Sequence, residues 1–213
     1  TTLYACVLEI DRRRRHVLTI EDPIEYEMRY ATQWQVATGR DGLEFSDFIR
    51  SAMRHAPEYI IIGEMRDGAT VETALKAAES GHTVISTIHA DTAIQTLERL
   101  RSFMPTERAR SSTYTLSQQI RAILNQRLIR TSCHSCARKL RAGDVLDQHK
   151  LDKLELDVND VVALQNPDGC ELCNHTGILG RTLLLEALLI DTPLSKRDPI
   201  FHALMDFVQV LFH

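Results

Sequence analysis

The 213-residue chain reads as an α/β protein, a parallel sheet covered by helices, interrupted late by a small cysteine-rich insert. Three observations predict this. Short apolar stretches alternate with segments of helical spacing up to about residue 130. Three of those stretches each end in a chemically reactive residue. Beyond them the alternation is lost in a polar segment bracketed by Cys133-His-Ser-Cys136 and Cys170-Glu-Leu-Cys173.

The elements follow in order. Residues 1–10 have Leu3, Val7 and Ile10 on one helical face. His16 to Ile20 is a buried strand, and Pro23 after Glu21-Asp22 enforces an extended exit. Residues 27–42 read as loop, ending in a Gly39-Arg40-Asp41-Gly42 turn. Phe45 to His55 is a helix with Phe45, Phe48, Ile49 and Ala52 inward, stopped before Pro57. Tyr59 to Ile62 is a second buried strand, leading into Gly63-Glu64. Ala69 to Ser80 is a helix, and Gly81 suits its left-handed cap. Thr83 to Ile88 is a third strand, ending at His89. Thr92 to Phe103 is helical, with Ile94, Leu97, Leu100 and Phe103 in register. Leu116, Ile120, Ile123, Leu124 and Leu128 extend the helical period from about Ser111 to Ile129. After the insert, Leu183 to Leu185 and Ala187 to Ile190 return apolar chain to a core. The expected division is a sheet-and-helix core at 1–131, a cysteine module at 132–180 and a helical segment at 181–213.

Composition is that of a globular protein, 44% hydrophobic and 25% charged, with room for a sizeable core. Net charge is −4, which argues against nucleic acid as the main partner, since phosphate binding favours a basic face. The run Arg12 to Arg15, between a helix end and a strand, reads as a solvated turn. No apolar run approaches the ~20 residues that span a bilayer, and the first residues lack the pattern of a secretory leader. The expected compartment is therefore a reducing cytoplasm, where paired cysteines bind metal more often than they form disulfides. Cys6, on an apolar helix face, reads as a buried thiol.

In an open parallel sheet, ligands bind beyond the carboxyl ends of the strands. Here those ends carry Glu21-Asp22, Glu64 and His89. An apolar strand followed by an acid projects a carboxylate at a metal-bound phosphate. One such ending is weak; three in one alternating segment point to a nucleotide site, with Glu21 and Glu64 as its acids. Arg66 follows the second strand, and a guanidinium suits the spread charge of a phosphoryl group. Arg50 and Arg54 lie four apart on one helix; on spacing alone they read as a solvated face pairing with Glu44, Asp47 or Glu58.

The cysteines carry the most specific signal. Two Cys-x-x-Cys pairs, Cys133 with Cys136 and Cys170 with Cys173, are separated by 33 residues and supply the four thiolates of a closed structural zinc site. No position is left for water, so catalysis at the metal is not expected. Neither pair follows a strand as a redox motif requires.

Together these residues resemble the hexameric secretion ATPases of type II secretion and type IV pilus assembly, the GspE/PilB-like branch. Thr1-Thr2-Leu3-Tyr4-Ala5 resembles the stretch directly after the family's phosphate loop. Ile20 to Tyr26 resembles its Asp box, Ile61 to Asp67 its Gly-Glu form of Walker B, and Gly81 to Ala90 its His box. The cysteine pairs, followed by Gly180-Arg181-Thr182, resemble its tetracysteine zinc module. The resemblance implies a P-loop NTPase (RecA-like) fold, truncated at its start, with ATP, Mg2+ and Zn2+ as ligands. It implies that Glu21 and Glu64 orient or activate water, and that His82 and His89 couple nucleotide state to the neighbouring strand. Asp22, Glu25, Arg50, Arg54 and Arg66 would act around nucleotide and magnesium or at subunit contacts. The implied partners are further copies in a homo-hexamer and an inner-membrane platform protein, reached from the cytoplasmic face, with no direct nucleic acid.

The chain departs from the family at several points. The phosphate loop with its Lys is not in these residues, and neither are the amino-terminal domain and the basic closing helices. Ala56-Pro57-Glu58 stands where Asp-Pro-Asp is usual. As written, the chain is expected to hydrolyse ATP negligibly. The leading reading is a motor domain for protein secretion or pilus assembly. A DNA-transfer ATPase of the type IV secretion kind and a non-catalytic zinc-bearing interaction module are the alternatives.

Overall fold

The computed structural model describes residues 2–36, 42–104 and 109–190. The expected turn at Gly39 to Gly42 falls for the most part outside them, as does the tail after Ile190.

The core is a four-stranded, wholly parallel sheet in the order β2-β1-β3-β4, built from β1 (Val17–Glu21), β2 (Thr32–Gln35), β3 (Tyr59–Ile62) and β4 (Thr83–Ser86). Register is continuous, with Ile20 opposite Ile62 and Ile62 opposite Ser86. Alternation along the strands sorts side chains to two faces. Leu18, Ile20, Ile60 and Ile62 pack with Phe45, Ile49 and Ala52 of α2 (Phe45–Ala52) and with Ala74 and Ala77 of α3 (Gly68–Glu79). Val17, Tyr59 and Ile61 face the other way, onto Val7 of α1 (Thr2–Leu8) and Ile10 just after it, with Leu3 against them. Being covered on both sides explains why β1 and β3 are buried along their whole length.

Local signals set the helix ends. Asp67 caps α3, its carboxylate accepting from the Thr70 amide and hydroxyl, both at 2.8 Å. After α3, Gly81 sits at φ +96°, a left-handed conformation that favours glycine. Thr92 caps α4 (Ala93–Ser102) through the Gln95 amide. The inward face of α4 is Ala93 and Thr96, while Ile94 is exposed.

The structure corrects several of the expectations, among them that neither cysteine pair follows a strand, since the strand that ends at Ser132 runs directly into Cys133. The segment 27–42 contains a strand: β2 adds to β1 at the sheet edge through its backbone, and its polar Thr-Gln-Trp-Gln sequence hides it. The third strand stops at Ser86, and Thr87 to His89 continue as open chain. The long helix ends early. Leu116 and Ile120 do pack beside Val71 and Met104, but α5 (Ala109–Gln119) is followed by a strand, β5 (Ala122–Ser132). The described part of the expected helical segment 181–213 is also strand, β8 (Ile178–Leu189), paired with β5 in a two-stranded ribbon. The apolar residues there fit either period. The backbone partner decides: each strand supplies hydrogen-bond partners to the amides and carbonyls that face it.

Between the ribbon strands lie β6 (Arg138–Arg141) and β7 (Val161–Leu164), an antiparallel pair, with the short helices α6 (Ala142–Val145) and α7 (Gln148–Leu154) between them. The chain thus forms two compact units. One contains residues up to Asn125 and from Glu186; the other is Gln126–Leu185. The boundary falls inside both ribbon strands.

Candidate functional site

The carboxyl ends of β1 and β3 bring three of the predicted residues together with a fourth, His89. Glu64, just past β3, is 21% exposed. Its Oε2 accepts from Arg66 Nε at 2.7 Å, and His89 Nε2 lies 3.1 Å from its Oε1. Arg66 Nη1 is also 3.7 Å from Asp22 Oδ2. The Glu64 carboxylate, through its hydrogen bond and its charge, with Asp22 adding to it, holds Arg66 still more firmly protonated than usual. The loops are fastened beneath the cluster. The Gly63 amide donates to Ile20 O at 2.8 Å, the Met65 amide to Thr87 O at 2.9 Å, and the Thr87 hydroxyl to Gly63 O at 2.5 Å.

Glu21 closes β1 and is only 5% exposed. It shares a strand face with Thr19, whose hydroxyl donates to its Oε1 at 2.6 Å. Gln33 of β2 donates to the same oxygen at 3.1 Å, and the Tyr4 hydroxyl of α1 donates to Oε2. Burial, together with the bond to Glu21, raises the Tyr4 phenol above its ordinary value. Glu25 lies on the loop after β1, its amide donating to the Tyr4 hydroxyl at 3.2 Å.

Other predicted residues sit elsewhere. His82 precedes β4, with Nδ1 3.0 Å from Ala77 O and 3.1 Å from Ser80 Oγ. The four residues of β4, at about 3.3 Å each, separate it from the strand ends. Arg50 donates to Asp47 at 2.6 Å, one of the partners its spacing named, and Arg54 is exposed in the 3-10 turn that leads to the start of β3. Neither arginine joins the cluster at the strand ends.

Sequence reasoning did not single out Thr19, Gln33 or Thr87, and it read Tyr4 only as part of a motif. Thr19 is legible as the residue two before Glu21 on one strand face. Gln33 carried no signal, because its segment read as loop. Two further side chains hold the loop after His89. Asn125 Nδ2 donates to Ala90 O at 2.9 Å, and Glu186 Oε2 accepts the Ala93 amide at 3.0 Å, at the positive end of α4. They lie 35 and 93 residues away in sequence from the groups they hold, beyond any local pattern.

In the second unit the four cysteine sulfurs lie within 4.8 Å of one another. Individual separations are 3.9 Å for Cys133 and Cys170, 3.8 Å for Cys136 and Cys173, and 3.8 Å for Cys170 and Cys173. A tetrahedral ion with metal–sulfur bonds of about 2.3 Å requires sulfurs about 3.8 Å apart, so the cage has the size of a metal site. Burial and the neighbouring thiols push Cys136 up to about 12. At Cys173 burial acts in the same direction, but amide donors from Cys170 and Gly177, at 3.1 and 3.2 Å, outweigh it and bring the thiol down to about 6. Gly177 can approach because it has no side chain. At its φ of +67° a Cβ would lie 2.0 Å from Asn166 O.

Comparison with known proteins gives a consistent result. The family model "Type II/IV secretion system protein" matches residues 1–201. The chain is 39% identical over 191 residues to the type II secretion system protein E of Aeromonas hydrophila, covering 90% of this chain and 36% of that protein. It is 32% identical to the type IV pilus assembly ATPase PilB of Thermus thermophilus, covering 96% of this chain and 21% of that one. The crystal structure of the pilus retraction motor PilT with bound ADP matches the fold with a TM-score of 0.55 at 30% identity, over 93% of this chain and 45% of that one. The chain therefore spans about a third or less of the length of these curated relatives.

Proposed function

The chain belongs to the type II/IV secretion system protein family, and from that premise we propose that it is part of an ATP-hydrolysing motor that powers type II protein secretion or type IV pilus assembly. The observation that carries this reading is the cluster of Glu64, His89, Arg66 and Asp22 at the carboxyl edge of a parallel sheet, beside buried Glu21.

The two acids differ in their surroundings. Glu64 is tied to Arg66 and His89, so much of its charge is balanced within the protein. Its role is to hold these two groups in place, and it would be among the groups that hold magnesium when the ion is bound. Magnesium, when bound, neutralises charge on the phosphate oxygens. Glu21 is held by the hydroxyls of Tyr4 and Thr19 and the amide of Gln33, all neutral donors. Among the described residues no ion pair is formed by Glu21, and we assign it as the base. Water attacks the terminal phosphorus, the bond to the ADP oxygen breaks, and the proton of the water passes to Glu21. Arg66 steadies charge on the transferred group. Arg50, Arg54 and His82, at the other edge of the sheet, serve subunit contacts in a homo-hexamer. The four cysteines hold one structural Zn2+, for which the sulfur spacing is suited. The motor acts from the cytoplasmic face on an inner-membrane platform protein. Among the described residues no helix is long and apolar enough to cross a membrane.

The test is turnover by the complete natural product containing these residues. Glu64→Gln should lower ATP hydrolysis about a hundredfold or more while nucleotide still binds. Unchanged turnover would remove Glu64 from the site.

A further inference from the structure

The Tyr4 hydroxyl has every hydrogen-bonding position filled. A phenol offers one donor and two acceptor positions. The amides of Glu25 and Tyr26 both point at Tyr4 Oη, at 3.2 and 3.3 Å, and an N–H can only donate. The two acceptor positions are therefore taken, and the single phenolic proton is forced onto Glu21 Oε2. The ring is also fixed, packed edge-on against Tyr26 with centroids 5.3 Å apart at 85°.

The consequence falls on Glu21. An ionised carboxylate has about four acceptor positions. Among the described residues, Thr19 and Gln33 fill the two on Oε1 and Tyr4 fills one on Oε2. The carboxylate cannot rotate without breaking all three bonds, and the position that still accepts is on Oε2, beside the Tyr4 hydroxyl. The same hydroxyl anchors the start of the loop that carries Asp22 and Glu25.

We infer that Tyr4 is a positioning residue of the hydrolytic site, which fixes the orientation of Glu21 and fastens the loop after β1 through one saturated hydroxyl. The inference rests on the reading of Glu21 as the base. Tyr4 does not touch the reacting atoms; it determines which lone pair of Glu21 meets the water.

A double-mutant cycle on the complete natural product tests this, using Tyr4→Phe, Glu21→Gln and both together. Tyr4→Phe keeps the ring and its contact with Tyr26, so the protein should fold. Its kcat should fall about ten- to a hundredfold with KM for ATP nearly unchanged, because orientation is lost and binding is not. In the Glu21→Gln background the same change should cost almost nothing more. Hydrogen exchange at the Glu25 and Tyr26 amides should quicken in Tyr4→Phe. An equal loss of kcat in both backgrounds would reduce Tyr4 to a merely structural role and overturn the inference, as would full kcat in Tyr4→Phe beside a slow Glu21→Gln. Full turnover in Glu21→Gln itself would instead overturn the assignment of the base, and the inference with it.

Discussion

The two units reach order by opposite routes. In the sheet-and-helix unit, whole strands are buried between helices, and Leu18, Ile20, Ile49, Ile60 and Ile62 exclude solvent completely. In the unit from Gln126 to Leu185, the buried apolar side chains among the described residues are Cys133, Ala142, Leu151 and Cys173. Leu128, Leu154, Val161, Leu172 and Leu184 are exposed there. Two of its four core residues thus belong to the cysteine cluster that could hold a metal. The contrast gives a physical reason for a cysteine cluster of metal-site size in the second unit. Apolar burial at about 25 cal/mol per Å2 needs area, and so short a core supplies little of it.

The comparison is tested most severely at the cage. Cys170→Ser, or removal of the metal by a chelator, should unfold the segment between the cysteine pairs, because metal binding supplies on the order of 10 kcal/mol there in apparent terms. Hydrogen exchange should show protection lost in 133–173 and largely kept in β1, β3 and α2. Loss throughout the chain would mean that the two units fold as one. The cage should also release protons when it fills. With Cys136 pushed up to about 12, its thiol is protonated at neutral pH and must give up that proton to bind metal. Affinity should therefore weaken as pH falls, and an indicator dye would register the protons released.

The converse experiment is smaller. Ile60→Ala in β3 empties a site that is 0% exposed and should cost about 2–5 kcal/mol. Chemical denaturation should show the loss in the sheet unit while zinc content stays at its original value. A drop in bound metal would show that the cage depends on the sheet.

The smallest effect sharpens the boundary between packing and local signals. Asp67→Ala removes the cap of α3 and should cost about 0.5–2 kcal/mol. Because α3 begins just after Arg66, the loss should also loosen the cluster around Glu64, which exchange at the Met65 amide would report.

Much of this was legible in the residues because the physics is local. Tyr59 to Ile62 matches the observed β3 end to end, since an uninterrupted apolar run between Glu58 and Gly63 has one outcome in a parallel sheet. The cap at Gly81 and the grouping of Cys133, Cys136, Cys170 and Cys173 follow from backbone freedom and ligand spacing in the same way. The apolar runs and the expected parallel sheet likewise pointed to Glu21 and Glu64 as candidates, and to His89, which lies three residues past the end of β4.

What the tertiary structure decided depends on partners distant in sequence. Ala122 to Ser132 and Ile178 to Leu189 carry apolar residues that suit a helix as well as a strand. Pairing with each other settles the matter, because each backbone pairs the groups of the other that face it. Trp34 and Gln33 entered a strand because β1 had a free edge to accept them. Tyr4 became the anchor of Glu21 because the alternation of β1 sends residues 17, 19 and 21 toward α1 and away from α2. The sequence by itself named the candidate groups, Glu21, Glu64 and His89. Only the packing of β1 against α1 and its pairing with β2 determined which way the Glu21 carboxylate points, since that orientation is set by donors from three separate elements.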